Sequence, residues 1–246
     1  MSQVKLGDKN IPFIYQGSEL LYPNPIKDGL ILYYDFKGIT NNNINKAVAE
    51  NLSGMNNNGT LQNFGYTSDS GYIDGLSLDG VDDYIKVDNK HENVYNSKSL
   101  TIEMTIEFLE TPDNWRWLLS NSVDSIGSKG FSIAYSINTP KGLSFRTGNN
   151  SVDTGIQPKT GDKFHIIALF FENRKMRTVI NGQIINNNTA LKDLDISPLN
   201  ISIGKASYYQ SPHLKSSIKN VRIYNRALTD EEIQHNYQIE KERWGL

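Results

Sequence analysis

The chain has no cysteine in 246 residues, which excludes disulfides and thiolate metal sites alike. It has almost no charge bias. The 25 Lys and Arg against 27 Asp and Glu leave a formal charge of −2, so no basic surface is expected and a nucleic-acid partner is excluded. It has no long apolar run. The opening "MSQVKLGDKNIPFIYQGSELL" holds no signal-peptide core, and no later stretch has the length to span a membrane. Its four histidines, His91, His165, His213 and His235, are scattered without metal-ligand spacing, and His165 lies in a buried-looking strand as a core residue. No Ser/His/Asp order, phosphate loop or dinucleotide fingerprint is present.

What is there points to β-structure. Hydrophobic residues are 37% of the chain, a low share, but 13 Tyr raise the aromatic share to 10% and supply large side chains for a sandwich core. A chain of this length buries a full core without staples. Asparagine runs ("NNNIN", "MNNNG", "INNN") punctuate turns, where Asn tolerates positive φ. From Gly29 onward short strand patterns alternate with turn signals. They begin at "LILYYDF", "LSLDG" and "YIKV". "LTIEMTIEFLE" sets Ile102, Met104, Ile106 and Phe108 against Glu103, Thr105 and Glu107. "KFHIIALFF" is apolar enough for burial on both faces. "MRTVINGQIIN" carries an Asn181-Gly182 hairpin. One helix is marked over 229–244: Thr229 stands three residues before Glu232 as a capping box, and Ile233, Tyr237 and Trp244 share a stripe. Residues 1–27 read as an extended arm, with Pro12, Pro23 and Pro25 among Phe13, Tyr15, Leu20, Leu21 and Tyr22. That arm is too apolar for a solvated tail, so it lies across its own domain or docks on a partner.

Three segments, "GLSLDGVDDYIKV", "SLTIEMTIEF" and "IKNVRIYNRALTDEEI", resemble in order and spacing a laminin-G-like, concanavalin A-like jelly roll over roughly Asp28 to Asn236. The resemblance implies an all-β, two-sheet antiparallel jelly-roll sandwich over 28–246, closed by a short C-terminal helix. The arm is similar to the leader of virion structural proteins in phages of Gram-positive bacteria. The chain departs from the family in two places. Ser216-Ser217 replaces a common Gly, and Lys219-Asn220 stands where an acidic residue often precedes the "VRIY" strand, so a family calcium site is not carried over.

Three groups of residues carry possible chemistry. Asp79, Asp82 and Asp83 could give calcium two or three oxygens, but "DGVDD" between alternating flanks reads first as a turn. Glu103 and Glu107 resemble the carboxylate strand of concanavalin A-like glucanases. Residues four apart on a strand are about 13 Å apart at Cα, and Thr105 stands where those enzymes carry a central acid, so a polar outer face is the simpler reading. Trp115 and Trp117 alternate onto one face, and Tyr208 and Tyr209 sit in a polar loop. Aromatics so placed stack on sugar rings.

The expectation is a non-enzymatic phage virion protein, in a tail, baseplate or head, without a cofactor. Its arm (Phe13, Tyr15, Leu20, Leu21, Tyr22) would dock on other virion proteins, and its sandwich would bind host cell-wall glycan through Trp115, Trp117, Tyr208 and Tyr209. It would be made in the host cytoplasm without a signal peptide and act in the particle. It needs neither membrane nor nucleic acid, and a homo-oligomer is left open. The alternatives are a glycoside hydrolase using Glu103 and Glu107, or a bacterial surface adhesin.

Overall fold

The structure, a computed structural model, describes residues 5–6, 9–11, 13–16, 19–87, 99–124, 129–138, 140–147, 150–172, 174–190, 197–208 and 211–246. Strands are numbered in chain order, and all pair antiparallel. The front sheet runs β15 (Asn150–Asp153), β14 (Gly142–Thr147), β13 (Phe131–Ser136), β12 (Arg116–Ser120), β19 (Ile201–Ile203), β10 (Tyr84–Val87), β7 (Gly59–Gln62) and β6 (Val48–Ala49). The back sheet runs β18 (Gln183–Ala190), β17 (Lys175–Ile180), β16 (Lys163–Phe170), β11 (Leu100–Phe108), β20 (Lys215–Tyr224), β9 (Leu76–Asp79) and β8 (Gly71–Tyr72). There β5 (Leu30–Asp35) also pairs with the second half of β20. Two small hairpins form in the arm, β1 (Lys5–Leu6) with β2 (Lys9–Asn10) and β3 (Ile14–Gln16) with β4 (Glu19–Tyr22).

The period-two pattern explains the layering. On β11, Ile102, Met104, Ile106 and Phe108 face the front sheet and are buried in one core with Ile133, Phe145, Ile203 and Ile85. Each such side chain taken from water contributes about 1.5–3 kcal/mol. The continuous run of β16 splits by parity: Ile166, Ala168 and Phe170 enter the core between the sheets. Ile167 and Leu169 enter a second cluster with Tyr33, Tyr224, Leu228 and Ile233. That second cluster exists because helix α1 (Asp230–Trp244) lies on the outer face of the back sheet.

Helix α1 begins where the sequence signals it. The Thr229 side chain accepts from the Glu232 N–H, and Glu232 reaches back to the Thr229 N–H, closing the capping box. The β17–β18 turn has Asn181 at φ 50° and Gly182 at φ 72°, the two positive angles of a tight hairpin. A Cβ at Gly182 would come within 2.5 Å of the Tyr237 ring, so glycine also lets the turn touch the helix.

Three residues of the arm, Tyr15, Asn24 and Ile26, bond to α1. The Ile26 N–H donates to Asn236 Oδ1 at 3.0 Å. His235 Nε2 is 2.7 Å from the Asn24 carbonyl, and Arg243 Nε donates to the Tyr15 hydroxyl at 3.1 Å. Leu20 is completely buried in its own chain, which removes it from the expected docking set. Tyr15 is exposed, and Phe13, Leu21 and Tyr22 are half-buried.

Candidate functional site

Alternation on the front sheet sends Phe131 and Ile133 into the core and leaves Ser132 and Ala134 on the outer face. Trp117 pairs with Ala134, which in turn pairs with Ser144, and Ser144 with Asp153. One outer row therefore runs Trp117, Ala134, Ser144, Asp153. Trp117 is nearly buried there, but in a small cluster with Ala134 and Ala206 rather than in the core between the sheets. Trp115 stacks on it with ring centroids 5.6 Å apart and planes at 26°. Tyr208 meets Trp117 edge-on at 6.2 Å and 83°. The Arg146 guanidinium lies 4.5 Å above the other aromatic partner, Trp115.

The structure thus brings together Trp115, Trp117 and Tyr208; Tyr209 lies outside the described residues. It adds Arg146 and Asp153. Burial pushes the Arg146 guanidinium below its usual range while the Asp153 carboxylate opposes that shift, so the cation is held partly desolvated beside an anion. Arg146 Nε also donates to Ser144 Oγ at 3.4 Å. The Tyr208 loop is fastened next to this row, where Ser207 Oγ donates to the Ser122 carbonyl at 2.6 Å. Chemically the arrangement offers half-buried aromatic surface beside a guanidinium, a carboxylate and hydroxyls. Such a surface holds a ligand with apolar C–H faces and hydroxyl edges. The signal for Arg146 was present in "LSFRTG", where Phe145 points inward and its neighbours outward. What the sequence lacked was the register that sets β14 beside β12.

The aspartates form the turn. Asp79 Oδ1 accepts from the Val81 N–H at 2.8 Å, Asp83 Oδ2 accepts from the Asp79 N–H at 3.0 Å, and Gly80 sits at φ 83°. Asp79, Asp82 and Asp83 bring carboxylate oxygens within 4.8 Å of one another. Calcium takes 6–8 oxygens, and turn amides already claim two of these three side chains, so the residues present fit calcium poorly. Burial drives the Asp83 carboxyl up to about 6, against the pull of its Ser70 and Asp79 hydrogen bonds.

Of the β11 carboxylates, Glu107 is half-buried and Glu103 is not on a solvated face at all, contrary to the polar outer face expected from alternation. Helix α1 covers Glu103 completely. Arg222 Nη1 reaches Glu103 Oε1 at 2.6 Å, His165 Nε2 lies 2.9 Å from the same atom, and Asn236 Nδ2 donates to Oε2 at 2.8 Å. Burial alone would raise this carboxyl; Arg222 first, then His165 and Asn236, hold it down to about 2. Glu107 is 3.0 Å from Lys219 Nζ. The cluster continues through Arg222 to Glu240 at 2.5 Å and through Arg243 to Asp35 at 2.6 Å, joining sheet, helix and β5. This buried ion cluster, including the core histidine His165, is a helix-docking device on the side of the sandwich opposite Trp115.

Comparison with known proteins agrees with this architecture. The family model Laminin_G_3, concanavalin A-like lectin/glucanases superfamily, matches residues 79–234. A search of curated protein sequences gave no match. Among solved structures, domain 4 of AbnA, a GH43 extracellular arabinanase from Geobacillus stearothermophilus, in complex with arabinotriose, superposes with TM-score 0.63 at 18% identity over 85% of this chain and 98% of that one. Trypanosoma rangeli sialidase in complex with 2,3-difluorosialic acid gives 0.62 at 19% identity over 88% of this chain, which spans 33% of the sialidase chain. A structure bearing on the interaction of botulinum neurotoxin type C with two ganglioside molecules gives 0.62 at 20% identity, over 87% of this chain and 51% of that one. The fold is a lectin/glucanase-like one. With more than half its length matched, the chain belongs to the concanavalin A-like lectin/glucanases superfamily.

Proposed function

We propose that this protein is a non-enzymatic glycan-binding sandwich of a phage particle, with its sugar site at Trp115, Tyr208 and Arg146. The observation that carries the glycan reading is the aromatic group itself. Trp115, Trp117 and Tyr208 are gathered outside the core between the sheets, under a guanidinium, where packing between the sheets does not require them. The near-complete overlap with an isolated arabinanase domain in complex with arabinotriose supports the same reading. A non-enzymatic role is supported by the state of Glu103, one of the two carboxylates considered for hydrolysis. A general acid needs a raised pKa and access to substrate, whereas Glu103 is sealed under α1 and held near 2. The virion setting rests on the resemblance of the arm to phage leaders.

The test is retention on immobilised Gram-positive cell-wall glycan, using the full chain. Trp115→Ala is expected to weaken binding at least tenfold, roughly 1.4 kcal/mol, with an unchanged melting temperature. Equal binding by the variant would overturn the site assignment. Release of reducing sugar from β-glucan by the wild type, lost in Glu107→Gln, would instead favour the hydrolase.

A further inference from the structure

Lys219 stands two residues before the "VRIY" segment of β20. Its side chain is only 1% exposed. The Nζ atom is not paired with one carboxylate but ringed by oxygens. The Asp74 carbonyl lies at 2.5 Å, Asp74 Oδ2 at 3.1 Å, Ser217 Oγ at 3.1 Å and Glu107 Oε2 at 3.0 Å. An ammonium has three protons to donate, so four oxygens at these distances surround it as they would a point charge. The backbone builds the ring deliberately. Asp74 sits at φ 55° in the left-handed region, presenting both its carbonyl and its carboxylate to the same centre. Gly75 follows at φ 107°, where a Cβ would press to 2.8 Å from the Ile218 carbonyl and 3.0 Å from Lys219 Cδ.

Two carboxylates, a carbonyl and a hydroxyl are the donor set of a hard divalent cation, with water completing the shell. Water has access, because the Asp74 side chain is 63% exposed. The charges also balance: the Asp74 and Glu107 carboxylates face the Lys219 ammonium and that of Lys37, 4.0 Å from Asp74 Oδ1. We propose that Lys219 is a built-in cation filling a divalent-metal site, and that this cage accepts calcium once the ammonium is removed. The cage ties β20 and β11 to the turn at Asp74, so in the wild type that corner of the fold is braced at any calcium concentration. This inference stands independently of the glycan site on the opposite face.

The Trp244 ring, centred 5.3 Å from Nζ, supplies a local reporter. Terbium, a luminescent calcium probe, should give Trp-sensitised emission in Lys219→Ala at least tenfold above wild type at equal terbium. Calcium should compete with it and raise the melting temperature of that variant more than that of the wild type. Adding Glu107→Gln to Lys219→Ala should abolish both responses, and Lys219→Met, whose stem still fills the cage, should show neither. Any response from the aspartate turn is common to all the chains and cancels in the comparison. Equal emission and equal calcium response in wild type and Lys219→Ala would overturn the proposal. If Lys219→Ala does not fold without metal, refolding in calcium but not in chelator supports it, and failure in both overturns it.

Discussion

At the scale of the residue, Asp83 illustrates how burial converts a turn carboxylate into a pH-sensitive group. Its carboxyl is raised to about 6 in the fold, against about 3.9 in an unfolded chain. A raised carboxyl favours the protonated form, so its contribution to stability is complete below about pH 4 and is lost as pH rises through about 6. Above that the ionised group costs on the order of 1–2 kcal/mol after allowance for solvent screening. Asp83→Asn is neutral throughout and keeps an acceptor for the Asp79 N–H. Thermal melting of both chains should coincide near pH 4, and the variant should melt higher at pH 8. A variant less stable than wild type at pH 8 would show that the ionised form is stabilised after all. The turn itself was legible from "DGVDD" and its flanks. The burial of Asp83 was not, because it depends on what packs over the hairpin.

Helix and arm form a single unit at the scale of the element. The stripe Ile233, Tyr237, Trp244 announced a helix packed on the sheet, and its capping box fixed where it starts. The same stripe also holds Asn236, Glu240 and Arg243, all buried. Their spacing of four and three residues was readable in the sequence as one helical face. Reading them as buried was not possible, because a charge is buried only when partners are present, and those partners, Arg222, Glu103 and Asp35, come from distant strands. The arm adds its own apolar anchor. Leu20→Ala should destabilise the protein by about 2–5 kcal/mol in urea unfolding, whereas Ile44→Ala, at a side chain 99% exposed, should change nothing measurable. If Leu20→Ala unfolds like the wild type, the arm is not part of the domain's stable core.

The whole molecule has two opposed faces with different work. The outer front face gathers the aromatic group, and the outer back face is sealed by helix, arm and ion cluster. In the proposed virion role the arm would dock through side chains it still shows to solvent, which among the expected docking residues are Phe13, Tyr15, Leu21 and Tyr22. Replacing Phe13 and Leu21 together by Ser should leave the melting temperature within a few degrees of wild type and abolish incorporation into particles, measured by complementation. Full incorporation of that variant would sink the docking role. The sequence by itself determined the class of fold, the inward face of β11, the burial of β16 on both faces, the Asn181-Gly182 hairpin and the limits of α1. Each of these depends on local periodicity and turn chemistry, which act over a few neighbouring residues. Only the tertiary structure decided that Glu103 is a sealed ion-pair partner, that Arg146 lies over Trp115, and that Lys219 fills a cage of oxygens. Those contacts join residues 31 to 145 positions apart, and strand register, which no local pattern specifies, brings them within reach.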